Sequence, residues 1–318
     1  PPASPATMYV ERLNPGLDDV LASNVVIRRI ATGFDFTEGP VWYLNKLWFV
    51  DPRADKLYTM AASGKVTLVL NNAGGVFAPY PNNLGPQAVE IARDGTLLLL
   101  QNGSRSIQDL NPVTLKLTPF ITEYHGKRIN SPNDVIYGPD GTLWFTDPPF
   151  GLIGQNSSPD KELPWNAVFS FKKGWLTAAI TDLPLPNGIG LSPNGKILYV
   201  SNYGPQMFVR EYDVSNDDKL SDPRYLIRYP GPHVEEAPDG LKVDTRGDIW
   251  TTGPGGIRII TSDGVVLGQI KLPEIAANLA FAGPDHRTIY VTASHSIYEL
   301  HSLVPGETPI YYRTHYSP

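Results

Sequence analysis

The sequence predicts an all-β fold, a six-bladed β-propeller whose four-stranded blades surround a central metal-binding tunnel. Three observations carry that expectation. One pattern, a polar residue leading into a short apolar strand, a turn and a second apolar strand, occurs six times in 318 residues. A further hairpin follows most copies. The chain holds 31 prolines and 29 glycines, and only short pieces such as Gly16 to Ala22 read as helical.

The copies read EGPVWYLNKLWFVD from Glu38, QAVEIARDGTLLLLQN from Gln87 and NDVIYGPDGTLWFTD from Asn133. They continue as NGIGLSPNGKILYVSN from Asn187, DGLKVDTRGDIWTTG from Asp239 and NLAFAGPDHRTIYVTA from Asn278. Successive starts lie 49, 46, 54, 52 and 39 residues apart, a period that marks propellers and solenoids. The following hairpins, such as KLYTMAASGKVTLVL and IRIITSDGVVLGQI, bring each unit to four strands, the content of one blade. Residues 1–318 are therefore expected to form a single propeller domain, with 1–30 an N-terminal extension partly outside the repeat. Two separate β domains are the alternative, which the even spacing disfavours.

Composition narrows the function. Hydrophobic residues make up 41% and charged residues 18%, so a sizeable core can be buried. The formal net charge of -6, without any basic run, argues against nucleic acid or an anionic membrane as partner. No stretch has the length of a membrane span. There is no cysteine, hence no disulfide, thiolate metal site or Cys nucleophile. Asn102-Gly-Ser104 and Asn156-Ser-Ser158 fit the glycosylation sequon, and the chain starts without Met. These features leave the compartment open and favour a secreted or periplasmic location over a cytoplasmic one. Nothing in the sequence sets an oligomeric state.

In a propeller the innermost strand of each blade lines the channel. The six leading residues, Glu38, Gln87, Asn133, Asn187, Asp239 and Asn278, should then form a ring, and each carries a side-chain oxygen. Burying such groups is costly unless something satisfies them, and a hard cation such as Ca²⁺, with its six to eight oxygen ligands, satisfies all of them together. Zn²⁺, Mn²⁺ and Mg²⁺ are alternative occupants. At any one position, local turn chemistry is a competing explanation, because Asn and Asp bond nearby backbone. The shared phase of all six favours the cation. Asp51, Asp147 and Asn202 recur at a second phase, the end of the second strand, where turn capping is expected.

Four stretches, FTEGPVW from Phe36, GKRINSPNDVIYGPDGTLWFTDPPFG from Gly126, LPNGIGLSPNGKILYVSN from Leu185 and PDGLKVDTRGDIW from Pro238, resemble the SMP-30/gluconolactonase/LRE-like family. Within it, the microbial and fungal gluconolactonase-type lactonases are most similar. The resemblance spans about residues 30 to 300. It implies a six-bladed propeller with a divalent ion, usually calcium, in its tunnel, and hydrolysis of sugar-acid lactones. Carried over by motif, Glu38, Asn133, Asn187 and Asp239 are the metal ligands, with Asn133 and Asp239 also catalytic. Gln87 is followed by Ala88 where relatives often show Asn-Gly, so Gln87 is expected to line the channel rather than ligate.

Lactone hydrolysis needs a polarised carbonyl, an activated water and a stabilised oxyanion. Asp239 is the first candidate base, although a neighbouring cation lowers its basicity. His233, six residues before Asp239, and His295, expected near the exit end of the last inner strand or in the following turn, are alternatives. Arg128, beside the Ser-Pro-Asn-Asp tetrad, is a candidate for a sugar hydroxyl or the product carboxylate; pairing with a loop acid is the competing role. Tyr80 and Phe77, in AGGVFAPYPNNLG, and Phe150 are candidate substrate contacts. Trp42, Trp48, Trp144 and Trp250 fall on strand positions suited to packing between blades. The leading function is a Ca²⁺-dependent lactone hydrolase acting on small hydroxylated lactones such as gluconolactone and other aldonolactones. Phosphotriester or aryl-ester hydrolysis at the same site, and a non-catalytic binding propeller, are the alternatives. No G-x-S-x-G elbow supports a serine hydrolase.

Overall fold

Among the described residues, six antiparallel sheets of four or five strands form the blades, each beginning with a short strand on the channel, and a separate two-stranded hairpin lies beside them. The structure, a computed structural model, describes residues 8–76, 84–217 and 219–315. The inner strands are Glu38–Tyr43, Pro86–Ile91, Val135–Tyr137, Pro186–Leu191, Leu241–Val243 and Ala276–Ala282, and they define blades 1 to 6. Blades 1 to 4 each add three further strands in sequence order, so neighbours along the chain are neighbours in the sheet. The Pro-Asp-Gly stretch of blade 3 joins its first two strands in a tight turn, in which Gly138 O accepts from Gly141 N at 2.9 Å. Gly141 sits there at φ 84°, a conformation that suits glycine.

The stretch expected partly outside the repeat supplies two strands. Arg28–Thr32 pairs with Ser296–His301 and becomes the outermost strand of blade 6, so the last blade is completed by the beginning of the chain. Tyr9–Arg12 pairs with Val266–Lys271 and extends blade 5 to five strands. Between them, Pro15–Asp19 forms a 3-10 turn capped by the Asn14 side chain, overlapping the Gly16 to Ala22 stretch that reads as helical. A short helix, Ile310–His315, comes near the end of the described chain.

The core is divided among the blade interfaces. Leu98 and Leu100 of blade 2 face Phe145 and Phe169 of blade 3. Trp144 and Val168 of blade 3 meet Ile189 and Val200 of blade 4. Comparable clusters lie between the remaining neighbours, including Trp250 with Leu279 and Ile289 between blades 5 and 6. Trp48, Trp144 and Trp250 are buried, and Trp42 stacks on Tyr290 of blade 6, as their strand positions predicted. Apolar contact between all successive blades, closed by an N-terminal strand, fixes where the inner strands start and so where the ring residues stand.

Candidate active site

The ring residues converge because the inner strands begin irregularly. Ladder register shifts between Glu38 and Val41, Pro86 and Ala88, Pro186 and Ile189, and Ala276 and Asn278. A bulge re-aims a side chain that a regular strand would send to one face of the sheet. In blades 3 and 5 regular pairing starts only at Val135 and Leu241, two residues past Asn133 and Asp239. The glycines following the ring residues are a steric demand of the next blade. A Cβ on Gly39 would lie 2.2 Å from Ala88 Cα, and one on Gly188 would lie 2.1 Å from Asp239 O.

Five ring residues form a chain of polar neighbours, with hydrogen bonds at its two ends and Asp239 between them. Asn133 Nδ2 donates to Asn187 Oδ1, and Asn187 in turn bonds Asp239. Asp239 reaches Glu38, whose Oε2 accepts from Asn278 Nδ2 at 3.3 Å. Below the ring, Lys242 Nζ donates to Asn278 Oδ1 at 3.3 Å and stands 3.6 Å from Asp134 Oδ2. Burial pushes the Asp239 carboxyl up to about 8, reinforced by the negative charge of Asp134. Burial, together with Asp239 and Asp134, raises Glu38 well above the usual carboxylate range. Further down the channel, burial pushes Glu90 up to about 7 against the opposing pull of the Ile91 N–H and Lys242. Two carboxylates in contact at the bottom of a cavity are strongly unfavourable when both are charged, and a divalent cation removes that conflict. Gln87 Nε2 is buried without a hydrogen-bond partner among the described residues, another sign of a polar floor not saturated by protein alone. Among the described residues no three His, Cys, Asp or Glu side chains gather into a metal cluster. The donor set is instead two carboxylates with amides, the all-oxygen mixture that suits a hard cation.

The polar Ser-Pro-Asn-Asp tetrad divides its side chains among three tasks. Ser131 Oγ donates to Pro148 O at 2.6 Å, tying the loop to the segment just past the second strand. Asn133 joins the ring. Asp134 descends the channel, accepting from Ile189 N at 3.3 Å and facing Lys242.

Above the ring opens a cavity of ≈ 580 Å³. Glu38, Gln87, Asn133, Asn187, Asp239, Phe150, His233 and His295 all line it, so eight sequence candidates share one space. His233 Nδ1 is 3.1 Å from Tyr203 O and His295 Nδ1 is 2.9 Å from Phe34 O. A neutral ring that donates through Nδ1 keeps its Nε2 lone pair available. His295 follows the second strand of blade 6, Thr288–Ala293, rather than its inner strand. Because that strand runs antiparallel to the inner one, its end returns to the cavity face, which corrects the exit-end expectation. Arg128 does not line the cavity. It is exposed on the hairpin formed by Glu123–Tyr124 and Lys127–Arg128, its guanidinium donates to Ser104 O at 2.8 Å, and its backbone N–H meets Glu162. Phe77 and Tyr80 lie outside the described residues. Asn102 is fully buried and so closed to modification in the folded chain, whereas Asn156 is exposed.

Sequence reading missed Arg53, Tyr203, Gln155 and Lys242. Three cavity residues besides His295 share one signal, a position one to three places beyond the end of a second strand: Arg53 after Asp51, Phe150 after Asp147 and Tyr203 after Asn202. Phe150 and Tyr203 meet edge to face at 5.6 Å, and Tyr203 packs on His233 at 4.9 Å, which joins three blade loops into one wall.

Residues 36–295 match the SMP-30/gluconolactonase/LRE-like region. A gluconolactonase of Zymomonas mobilis is 32% identical over 314 residues, covering 93% of this chain and 87% of that protein. A pentonolactonase of Haloferax volcanii is 25% identical, with 85% of each chain covered. The solved structure of a gluconolactonase from Xanthomonas campestris superposes with a TM-score of 0.81 at 26% identity, covering 96% of this chain and 99% of that one. The chain belongs to the SMP-30/gluconolactonase/LRE-like family.

Proposed function

We propose that this protein hydrolyses small hydroxylated lactones, aldonolactones such as gluconolactone, with Ca²⁺ held by Glu38, Asn133, Asn187 and Asp239. The observation that carries the reading is the meeting of two carboxylates and two amides on the floor of one polar cavity. Family membership and the gluconolactonase and pentonolactonase relatives support the reaction class. Oxygen-only donors suit Ca²⁺ better than Zn²⁺, which favours nitrogen and sulfur ligands.

When bound, the ion would polarise the ester carbonyl and offset the charge of the tetrahedral oxygen. The chain supplies the rest. Water adds to the carbonyl carbon, one of its protons passes to Asp239, and the ring C–O bond breaks. The released alkoxide takes that proton back from Asp239, which leaves a hydroxy acid and restores the carboxylate. A carboxylate facing a cation is a weaker base, but the adjacent Glu38 charge works in the opposite direction. Asn133 orients the reacting carbonyl. Gln87 and the Nε2 atoms of His233 and His295 receive the hydroxyls of the substrate, and Phe150 covers its apolar ring edge. The polar lining favours such a substrate over an apolar phosphotriester or aryl ester, and a pure binding propeller has no use for paired axial carboxylates.

The test is acid release from glucono-1,5-lactone in a pH-stat, corrected for spontaneous opening, before and after chelation and again after Ca²⁺ is restored. Loss and recovery of turnover is the expected outcome. Undiminished turnover by the stripped protein would rule out the metal-dependent reaction.

A further inference from the structure

Among the described residues, Arg53 is the one arginine or lysine lining the cavity. Its guanidinium lies over the Phe36 ring, 4.9 Å from the centroid, and Phe36 lines the same space. The two loops bearing this pair are locked together by Asp51. Its carboxylate accepts from Asp35 N at 2.8 Å, and from Phe36 N and Ala54 N at 3.0 Å each. Arg53 is exposed and has no ion pair or hydrogen bond from its side chain among the described residues. Glu235, the other charged group at the mouth, does not pair with it within salt-bridge distance.

A guanidinium held by cation–π stacking and left without a carboxylate is prepared for a planar anion, which it binds through two parallel hydrogen bonds. Resting on the lactonase reading above, we propose that Arg53 makes this site selective for lactones carrying an anionic group, a carboxylate or similar oxyanion, on the arm remote from the ester carbonyl. The ester would sit at the ring of Glu38, Asn133, Asn187 and Asp239 while the anionic arm meets Arg53 at the mouth.

A matched pair of probes isolates this feature. Glucaro-1,4-lactone carries a free carboxylate where glucono-1,4-lactone carries a hydroxymethyl group. Wild-type protein should favour the anionic lactone by about tenfold in kcat/KM, with a preference that shrinks as salt is added. R53A should lose about tenfold or more on the anionic lactone, mainly through KM, and several-fold less on the neutral one. R53K should recover part of the difference, since it restores charge without the fork. An equal loss on both lactones, or an unchanged preference in R53A, overturns the proposal. If neither lactone is turned over, the lactonase reading fails, and Arg53 is judged separately by calorimetry of glucarate and gluconate binding to Ca²⁺-loaded protein. Tighter binding of glucarate that disappears in R53A upholds the assignment of Arg53, and equal affinities reject it. Matching thermal melts for wild type and variants exclude misfolding as the cause.

Discussion

Two sets of polar side chains recur in this propeller at different phases of the same repeat, and they meet opposite fates. The set at the start of the inner strands, including Glu38, Asn133, Asn187 and Asp239, points along the axis, where its members mostly find one another. The set at the end of the second strands, Asp51, Asp147 and Asn202 with Gln101 of blade 2, turns back onto loop backbone. Asp147 accepts from Asn130 N at 2.7 Å and Ser131 N at 2.8 Å. Asp51 accepts three backbone N–H groups, Asn202 accepts from Leu185 N at 2.9 Å, and Gln101 donates to Ala73 O at 2.6 Å. Similar residue types thus serve architecture at one phase, while at the other they are left facing a cavity. What separates them is the supply of local backbone donors. Where a loop offers two N–H groups to a carboxylate, the pair is complete. Where two carboxylates face each other, a further partner is required.

The two sets should differ most in their effect on activity. If the axial set carries the reaction, D239A and N133A should each lower kcat on gluconolactone by about 10²–10³-fold or more, the scale set by removing one transition-state contact. Urea unfolding should remain cooperative in both. Wild-type rates in both variants would mean that the axial ring has been given the wrong role.

The next largest effect concerns stability, and here the two sets should respond with opposite signs. D147A leaves two buried N–H groups without acceptors and should cost about 2–4 kcal/mol in urea unfolding, with the affinity for Ca²⁺ little changed. Above about pH 8, where Asp239 ionises, E38Q should make the metal-free protein more stable than wild type, because it removes a negative charge beside Asp239. It should also remove most of the stabilisation by Ca²⁺, which in wild type amounts to about 2.7 kcal/mol at a hundredfold excess over Kd. Parallel destabilisation by E38Q and D147A would erase the distinction drawn here.

Titration sharpens the contrast. Burial pushes the Asp147 carboxyl from its ordinary 3.8 up to about 7, against the opposing effect of the Asn130 and Ser131 N–H groups. A carboxyl whose pKa is higher folded than unfolded binds more protons in the folded state. Its contribution to stability is therefore fullest below about 3.8 and declines as the pH rises towards 7. Unfolding of wild type and D147N across that interval should show this slope in wild type only. A difference that stays flat with pH would mean that the backbone donors fully offset the burial of Asp147.

The six-fold pattern was readable because each blade repeats the same strand and turn chemistry locally, and the ring followed from its phase. What escaped reading depends on encounters between distant segments. No local signal pairs Arg28–Thr32 with Ser296–His301, since any amphipathic strand of that length fits the edge. Lys242 reads as an ordinary alternating strand residue, and only the close approach of Asn278 and Asp134 makes it the axial cation. Arg128 neighbours the Asn133 loop in sequence, which makes it a site candidate, yet its hairpin carries it outward to Ser104. His295 lies in the turn after Thr288–Ala293, and only the antiparallel return of that strand brings it to the cavity face. Arg53 and Tyr203 belong to a set visible only when residues just past the strand-end caps are compared across blades.

The smallest expected effect tests whether ring membership alone confers function. Gln87 occupies the ring phase in blade 2 and lines the cavity, but it is an amide followed by Ala88, and its Nε2 lacks a partner among the described residues. No carboxylate stands at this position to compete for a cation, and a substrate hydroxyl can satisfy the unused N–H. Q87A should therefore raise KM for gluconolactone by about three- to tenfold, the value of one ordinary hydrogen bond, while kcat and the Ca²⁺ midpoint stay close to wild type. A fall in Ca²⁺ affinity comparable to that of E38Q would instead make Gln87 a ligand and extend the coordinating arc to blade 2.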